Sequence, residues 1–297
     1  MREIYTSSDG RLLPESGWRS EVSALQERAS LQSGISGEAE AVSILKEAIP
    51  EAVEKRIPAA RFGVLFSGGV DSSLIAFLCR NFSPHFRCYS VGFGNSKDLA
   101  AAGEASRSLG LDLAARNYAL DEVGAIVSEV SRIIPKVDVV NVGVASVVYA
   151  ACRLAKQDGV SVIFSGLGSE EIFAGYQRHG FAADINAECW QGLYGMHQRD
   201  LVRDTAIASN LGVSFATPFM DQELIVSAMR MDGGLKIKAG SKKHILRLAA
   251  VQLGLPEAIS GRKKLAAQYG SGFDFAIKKI AKKSGFRSRH EFIQSAV

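Results

Sequence analysis

The run Val64-Leu65-Phe66-Ser67-Gly68-Gly69-Val70-Asp71-Ser72-Ser73 constrains this chain more than any other stretch. An apolar strand pattern ends at Phe66, two glycines let the backbone turn tightly and approach a ligand, and hydroxyl residues open an amphipathic helix. Amide groups at such a turn and helix start converge on one point and favour an anion there. The run is not a Walker A loop, which needs Lys just before the Ser or Thr; here an acid, Asp71, occupies the turn. A carboxylate beside bound phosphates is repelled unless a divalent cation lies between them, so Asp71 implies Mg²⁺. Without a ligand, the same residues make an ordinary strand-to-helix junction.

The surrounding pattern supplies a fold for this loop. Apolar strand runs at Gly63–Phe66, Arg87–Phe93, Asp112–Tyr118 and Val160–Phe164 alternate with helical periodicity at Ser72–Arg80, Asp98–Leu109, Asp121–Ile134 and Ala145–Gln157. This order predicts an α/β fold, a doubly wound and mostly parallel sheet with ligands beyond the carboxyl ends of its strands. Val42, Leu45, Ile49 and Val53 mark a helix from Glu38 into this core, closed by Pro58. Residues 1–37, rich in Ser and Gly, read as an N-terminal arm or loop-rich entry. Beyond about residue 176 only helical periodicity is legible, clearest at Asn186–Asp204, Gln222–Met229, Ser241–Leu253 and Phe273–Lys283. The expected organisation is an arm over 1–37 and one domain over 38–297. That domain divides into an α/β nucleotide-binding core (38–180) and a helical C-terminal subregion (181–297).

A second run, Val162-Ile163-Phe164-Ser165-Gly166-Leu167-Gly168-Ser169-Glu170-Glu171-Ile172-Phe173-Ala174-Gly175-Tyr176, repeats the logic of strand, Ser-Gly turn and acids at a helix start. The first run resembles the SGG-x-DS signature of PP-loop ATP pyrophosphatases, which cleave ATP between the α and β phosphates. The second resembles the SG-E-G-x-DE-hhGGY segment of the asparagine synthetase family and of β-lactam synthetase. Further matches follow in order: Tyr89-Ser90-Val91-Gly92-Phe93, Ser96-Lys97-Asp98-Leu99, Ala216-Thr217-Pro218-Phe219-Met220-Asp221, Lys243-His244-Ile245-Leu246-Arg247, Leu255-Pro256 and Arg262-Lys263-Lys264. The chain is therefore similar, from about residue 60 to about 275, to the synthetase domain of that family.

The resemblance implies an ATP and pyrophosphate site. Phe66, Ser67, Gly68, Gly69, Asp71 and Ser72 would form its first loop, and Ser165 and Gly166 its second. Val91 and Gly92 would clasp the adenine. Lys243 would neutralise charge on the adenylate and pyrophosphate, Lys264 would meet the outer phosphates, and Asp71 and Glu170 would hold Mg²⁺. The implied catalytic set is Lys243, Glu170 and Asp71. The implied chemistry is adenylation of a small carboxylate, aspartate the first candidate, followed by displacement of AMP by ammonia or another amine.

Three departures from the family pattern qualify this. Arg2 follows the initiator Met and the earliest cysteine is Cys79, so no glutaminase is expected in this chain, and ammonia would come from solution or a separate glutaminase subunit. Leu167 replaces the motif's glutamate, and an apolar side chain can neither accept a proton nor hold an ammonium. Glu170 stands for an aspartate and Ala174 for a glycine, changes that alter reach and clearance.

Charge is the remaining signal. Residues 236–290 carry 14 Lys/Arg against 2 acids, and the rest of the chain 21 against 29. That basic tail suits polyphosphate, and it keeps a tRNA-modifying PP-loop enzyme as an alternative, with nucleic acid as its partner. A non-catalytic ATP-binding subunit is the other alternative, suggested by Leu167. No apolar run reaches the roughly 18 residues of a membrane span, no export signal opens the chain, and a cytoplasmic protein assembled as a homodimer is expected. Four dispersed cysteines, Cys79, Cys88, Cys152 and Cys189, read as reduced core thiols.

Overall fold

The computed structural model describes residues 2–263 and 265–295. Five strands, β1 (Phe62–Leu65), β2 (Phe86–Phe93), β3 (Leu113–Tyr118), β4 (Val162–Phe164) and β5 (Ser214–Ala216), form one sheet in the order β3-β2-β1-β4-β5. Every neighbouring pair is parallel. The helices up to the second loop are α1 (Glu15–Ser30), α2 (Glu38–Glu54), α3 (Val70–Phe82), α4 (Lys97–Leu109), α5 (Leu120–Ile133), α6 (Val139–Gln157) and α7 (Ser169–Ile172). After it come α8 (Ile185–Met196), α9 (Val202–Leu211), α10 (Gln222–Arg230), α11 (Gly233–Lys236), α12 (His244–Gln252), α13 (Glu257–Ser260), α14 (Ala267–Gly270), α15 (Phe273–Lys283) and α16 (Arg289–Gln294).

Alternation along the strands sends side chains into cores on both faces, as a doubly wound sheet requires. Phe62, Val64, Cys88 and Phe164 join one core with α2, α3 and α12. Its centre includes Phe62 stacked on Phe86 at 5.3 Å and tilted against Phe164 at 5.1 Å. Val91 enters the opposite core with α5, α6 and α15, and Tyr89 and Ile163 pack beside it. All four cysteines are buried and unpaired, as expected. Helix α6 is, at 19 residues, long and apolar enough by length and composition to cross a membrane, which the count of unbroken apolar residues did not register. Here Val142, Ala145, Tyr149 and Ala150 bury it against this second core.

Four readings from periodicity are corrected. The stretch 1–37 is not loop-rich throughout: α1 lies within it and buries Trp18, Val22, Leu25 and Ala29. The later half contains strand as well as helix, namely β5 and a short antiparallel hairpin, β6 (Ile237–Lys238) and β7 (Ser241–Lys242). Helix α6 begins at Val139 rather than Ala145, because the Asp138 carboxylate accepts bonds from the Val140 and Asn141 amides at 3.0 and 2.8 Å. The expected helix 186–204 is α8, a π turn (His197–Leu201) and α9 in succession. The π turn changes which side chains face inward.

Candidate active site

The strand order reverses direction on either side of β1, so the loops leaving β1 and β4 emerge side by side at the carboxyl end of the sheet. The first runs from Phe66, whose amide donates to Tyr89 O at 2.8 Å, into α3. Gly68 sits at φ +68°, and a Cβ there would lie 2.5 Å from the Ala101 carbonyl group. The loop is thus pressed against α4, and only glycine meets both demands. The Ser67 amide donates to Ser72 Oγ at 3.2 Å, drawing the loop onto the first turn of α3. The two loops meet where a Cβ on Gly166 would be 3.1 Å from Asp71 Cβ. Gly92 is equally confined, for a Cβ there would fall 2.5 Å from Ser96 Cβ.

Lys243 enters this junction from the hairpin. Its ammonium donates to Asp71 Oδ1 and Oδ2 at 2.8 Å each, to Glu170 Oε1 at 2.8 Å and to Ser169 Oγ at 2.9 Å. The three residues of the expected catalytic set are therefore in direct contact. Lys243 is 2% exposed, and burial pushes its ammonium below the ordinary lysine range against the opposing pull of Asp71. Lys243 is not inside a helix, as the helical periodicity over Ser241–Leu253 had suggested. It is the residue before α12, at φ 56°, and that left-handed step aims its side chain back into the sheet end.

Two cavities adjoin at this point. One, of about 260 Å³, is lined by Phe66, Ser67, Asp71, Ser72 and Val91 on one side and by Ser165, Gly166 and Glu170 on the other. The second, of about 480 Å³, holds Gly69, Lys243 and the basic residues Lys242, Arg247, Arg262 and Lys263, and shares Asp71 and Glu170 with the first. Gly68 and Gly92 line neither cavity and act through backbone placement. Lys264 lies outside the described residues. The basic residues that spacing left as a diffuse tail thus gather in part on one cavity wall.

Several contributors were not foreseen. Arg262 donates to Ser67 O at 2.7 Å and to Asp98 Oδ1 at 2.7 Å, tying the tail to the first loop. Gly175 is required beside the centre, since a Cβ there would sit 1.8 Å from Glu170 Oε2 and 2.4 Å from Lys243 Cε. Behind Glu170 lies a buried ionic cluster: Arg199 contacts Glu171 and Asp200, and Arg203 contacts Asp200 and Asp204. Burial first, then the Asp200 charge, pushes the Glu171 carboxyl up to about 7 against the pull of Arg199. The repeated Arg-Asp pairs four residues apart, 199–200 and 203–204, were the available signal.

Asp71 and Glu170 bring oxygens within 2.8 Å of the Lys243 nitrogen, so both carboxylates converge on one point, which the ammonium fills here and which a metal ion would take only with Lys243 drawn aside. Among the described residues no group of three or more His, Cys, Asp or Glu could hold a metal alone. Two carboxylates completed by phosphate oxygens is the donor set that suits Mg²⁺, so the residues fit it.

The family model for asparagine synthase matches residues 45–192 and 179–290. A protein of Methanocaldococcus jannaschii provisionally named asparagine synthetase [glutamine-hydrolyzing] 1 is 33% identical over 86% of this chain and 54% of its own length. Asparagine synthetase B [glutamine-hydrolyzing] of Escherichia coli is 27% identical over 80% of this chain and 47% of its own. The chain spans about half the length of these relatives. The structure of NMN synthetase from Francisella tularensis shows a remote likeness, with a TM-score of 0.42 and 14% identity over 88% of this chain and 92% of that one. On the family match and the relative from M. jannaschii, this chain belongs to the asparagine synthase family.

Proposed function

We propose that the chain is an ATP-dependent amide-forming ligase that adenylates a small carboxylate, aspartate being the candidate the family's name supplies, and releases pyrophosphate. A carboxylate oxygen attacks the α-phosphorus of ATP, and the bridging oxygen leaves with the β and γ phosphates as pyrophosphate. An amine, ammonia in the simplest case, then attacks the acyl carbon and AMP departs with the former carboxylate oxygen. Ammonia would come from solution or from a glutaminase partner.

The observation that carries this reading is the Lys243 ammonium held between Asp71 and Glu170 where the two loops meet. Little covalent help is needed; the protein's contribution is positioning and charge neutralisation. The loop amides between Gly68 and Ser72 would face the phosphates, those of Ser67 and Ser73 being engaged within the loop, and Asp71 and Glu170 would hold Mg²⁺, which when bound would offset phosphate charge. Lys243, Lys242, Arg262 and Lys263 border the cavity where pyrophosphate charge would develop. Burial of Lys243 removes competing water and strengthens its interaction with an incoming phosphate.

The decisive experiment measures carboxylate-dependent pyrophosphate release by the wild type and by Lys243→Ala, with ATP binding followed separately. The variant is expected to bind ATP and release no pyrophosphate above background. Unchanged turnover would remove Lys243 from the mechanism, and the absence of release from the wild type with every carboxylate offered would remove the ligase reading.

A further inference from the structure

We infer that the carboxylate adenylated here has an apolar body and a single acidic group, unlike a dicarboxylic amino acid; this rests on the ligase reading above and names its substrate class. The wall of the 260 Å³ cavity is built by α6, which presents Val144, Val147, Val148 and Ala151. These positions recur at helical spacing and cover about 10 Å of one helix face. Leu65 of β1 and Leu167 of the second loop extend the same surface.

The adenine does not use all of it. In the proposed reading the base lies at Val91, at the end of β2. Strands β2 and β4 flank β1, so their ends are separated by two strand spacings, about 10 Å. A base at β2 therefore leaves the β4 side open, where Leu167, Glu171, Tyr176, Arg203 and Asp204 line the cavity. An acyl group reaching the α-phosphate would lodge there.

That side offers no uncommitted cation among the described residues. Arg203 is the basic residue in its lining, and it is already engaged: Nε with Asp204 Oδ1 at 2.7 Å, Nη2 with Asp200 Oδ1 at 3.3 Å and Nη1 with Arg199 O at 3.1 Å. Arg199 is taken by Glu171 and Asp200. Within this cluster three carboxylates face two guanidiniums. A second substrate carboxylate would thus lose its water beside guanidiniums that are already paired and gain no counter-ion in return. The carboxylate that reacts escapes this conflict, because adenylation converts it to an uncharged mixed anhydride carbonyl at the phosphate end. Leu167, packed at the edge of the apolar core, offers contact to hydrocarbon instead.

ATP–pyrophosphate exchange on the full chain tests the assignment. The panel is aspartate and glutamate; isovalerate and benzoate; leucine and phenylalanine. The last two pairs separate a plain acid from an apolar amino acid. One of those pairs is expected to stimulate exchange at least roughly tenfold over aspartate, the scale at which apolar pockets discriminate. Exchange driven best by aspartate or glutamate would overturn this inference and leave the ligase reading standing. Exchange with none of the six, while ATP binds by calorimetry, would overturn the ligase reading itself. Leu167→Ala should raise KM for the preferred acid about tenfold, with kcat and the ATP Kd little changed. An unaltered KM in that folded variant would remove Leu167 from the substrate wall.

Discussion

Lys243 owes its position to its neighbours rather than to its own preferences. A lysine at φ 56° is held in a conformation that favours glycine, and it stays there because Asp71, Glu170 and Ser169 take all its donors. Gly175 leaves the room this needs. Gly175→Ala is therefore expected to displace Glu170 and Lys243 together, costing about 1–3 kcal/mol of stability by overpacking and abolishing pyrophosphate release. A folded Gly175→Ala protein with wild-type turnover would show that the contact is dispensable. A nearby histidine adds a pH effect. His179 Nδ1 accepts from the Tyr176 amide at 3.0 Å, and its Nε2 is buried without a partner among the described residues. Burial first, then the Arg178 charge, pushes its pKa down from 6.5 to about 4. The folded state therefore binds this proton less readily than the unfolded chain. The stabilisation is complete above pH 6.5 and is lost as pH falls through about 4, by on the order of 3 kcal/mol. Urea unfolding at pH 7 and pH 4.5 should show the loss in the wild type, and His179→Asn should flatten the difference. Equal slopes for the two proteins would exclude His179 as its source.

At the level of elements, legibility followed local regularity. The loops after β1 and β4 were readable because glycine, hydroxyl and acid residues each answer a backbone demand visible in sequence. Helix α1 was not, because only Trp18, Val22, Leu25 and Ala29 carry its buried stripe, in a segment otherwise rich in Ser, Glu and Arg. Its partner is distant in sequence: Trp18 Nε1 donates to Leu193 O at 2.9 Å. Strand β5 is three residues long, and its hydrogen bonds to β4 rather than its composition define it. The hairpin before Lys243 was hidden in the same way, since Ser241 and Lys242 fit a helical pattern whose start is moved to His244 by the left-handed residue before it. Trp18→Ala tests the weight of α1. Losing a fully buried indole and its hydrogen bond should cost about 3–5 kcal/mol, read as a lower urea midpoint at unchanged m-value. A change under about 1 kcal/mol would return the segment to the status of a loose arm.

For the whole molecule, the alternation of strands and helices was enough to give an α/β sheet, and the two loop motifs lie together at its carboxyl end, where the candidate site is. What sequence could not supply was the closure of the chain on itself. The Arg56 guanidinium meets the Glu3 carboxylate through Nε at 2.9 Å and Nη2 at 3.1 Å, and Asp221 Oδ2 through Nη1 at 3.1 Å. Glu3 also accepts from the Thr217 amide at 3.1 Å and from its hydroxyl at 2.8 Å. All four residues are buried, so the network joins the N-terminal segment, the end of α2 and the turn after β5 beneath solvent. Such a network can be worth little relative to an apolar substitute, yet breaking it from one side leaves charge buried without a counter-ion. Arg56→Met should accordingly lose about 3–5 kcal/mol, because Glu3 is then left without a counter-ion and Asp221 keeps only the looser contact with Lys55 at 3.8 Å. Glu3→Gln introduced into that variant should restore part of the loss by removing the stranded charge. If residues 2–37 fold with the rest, circular dichroism and tryptophan fluorescence will report one shared transition in each variant. Separate transitions, or an Arg56→Met protein within about 1 kcal/mol of the wild type, would mean that the N-terminal segment rests on the fold without being part of its cooperative unit.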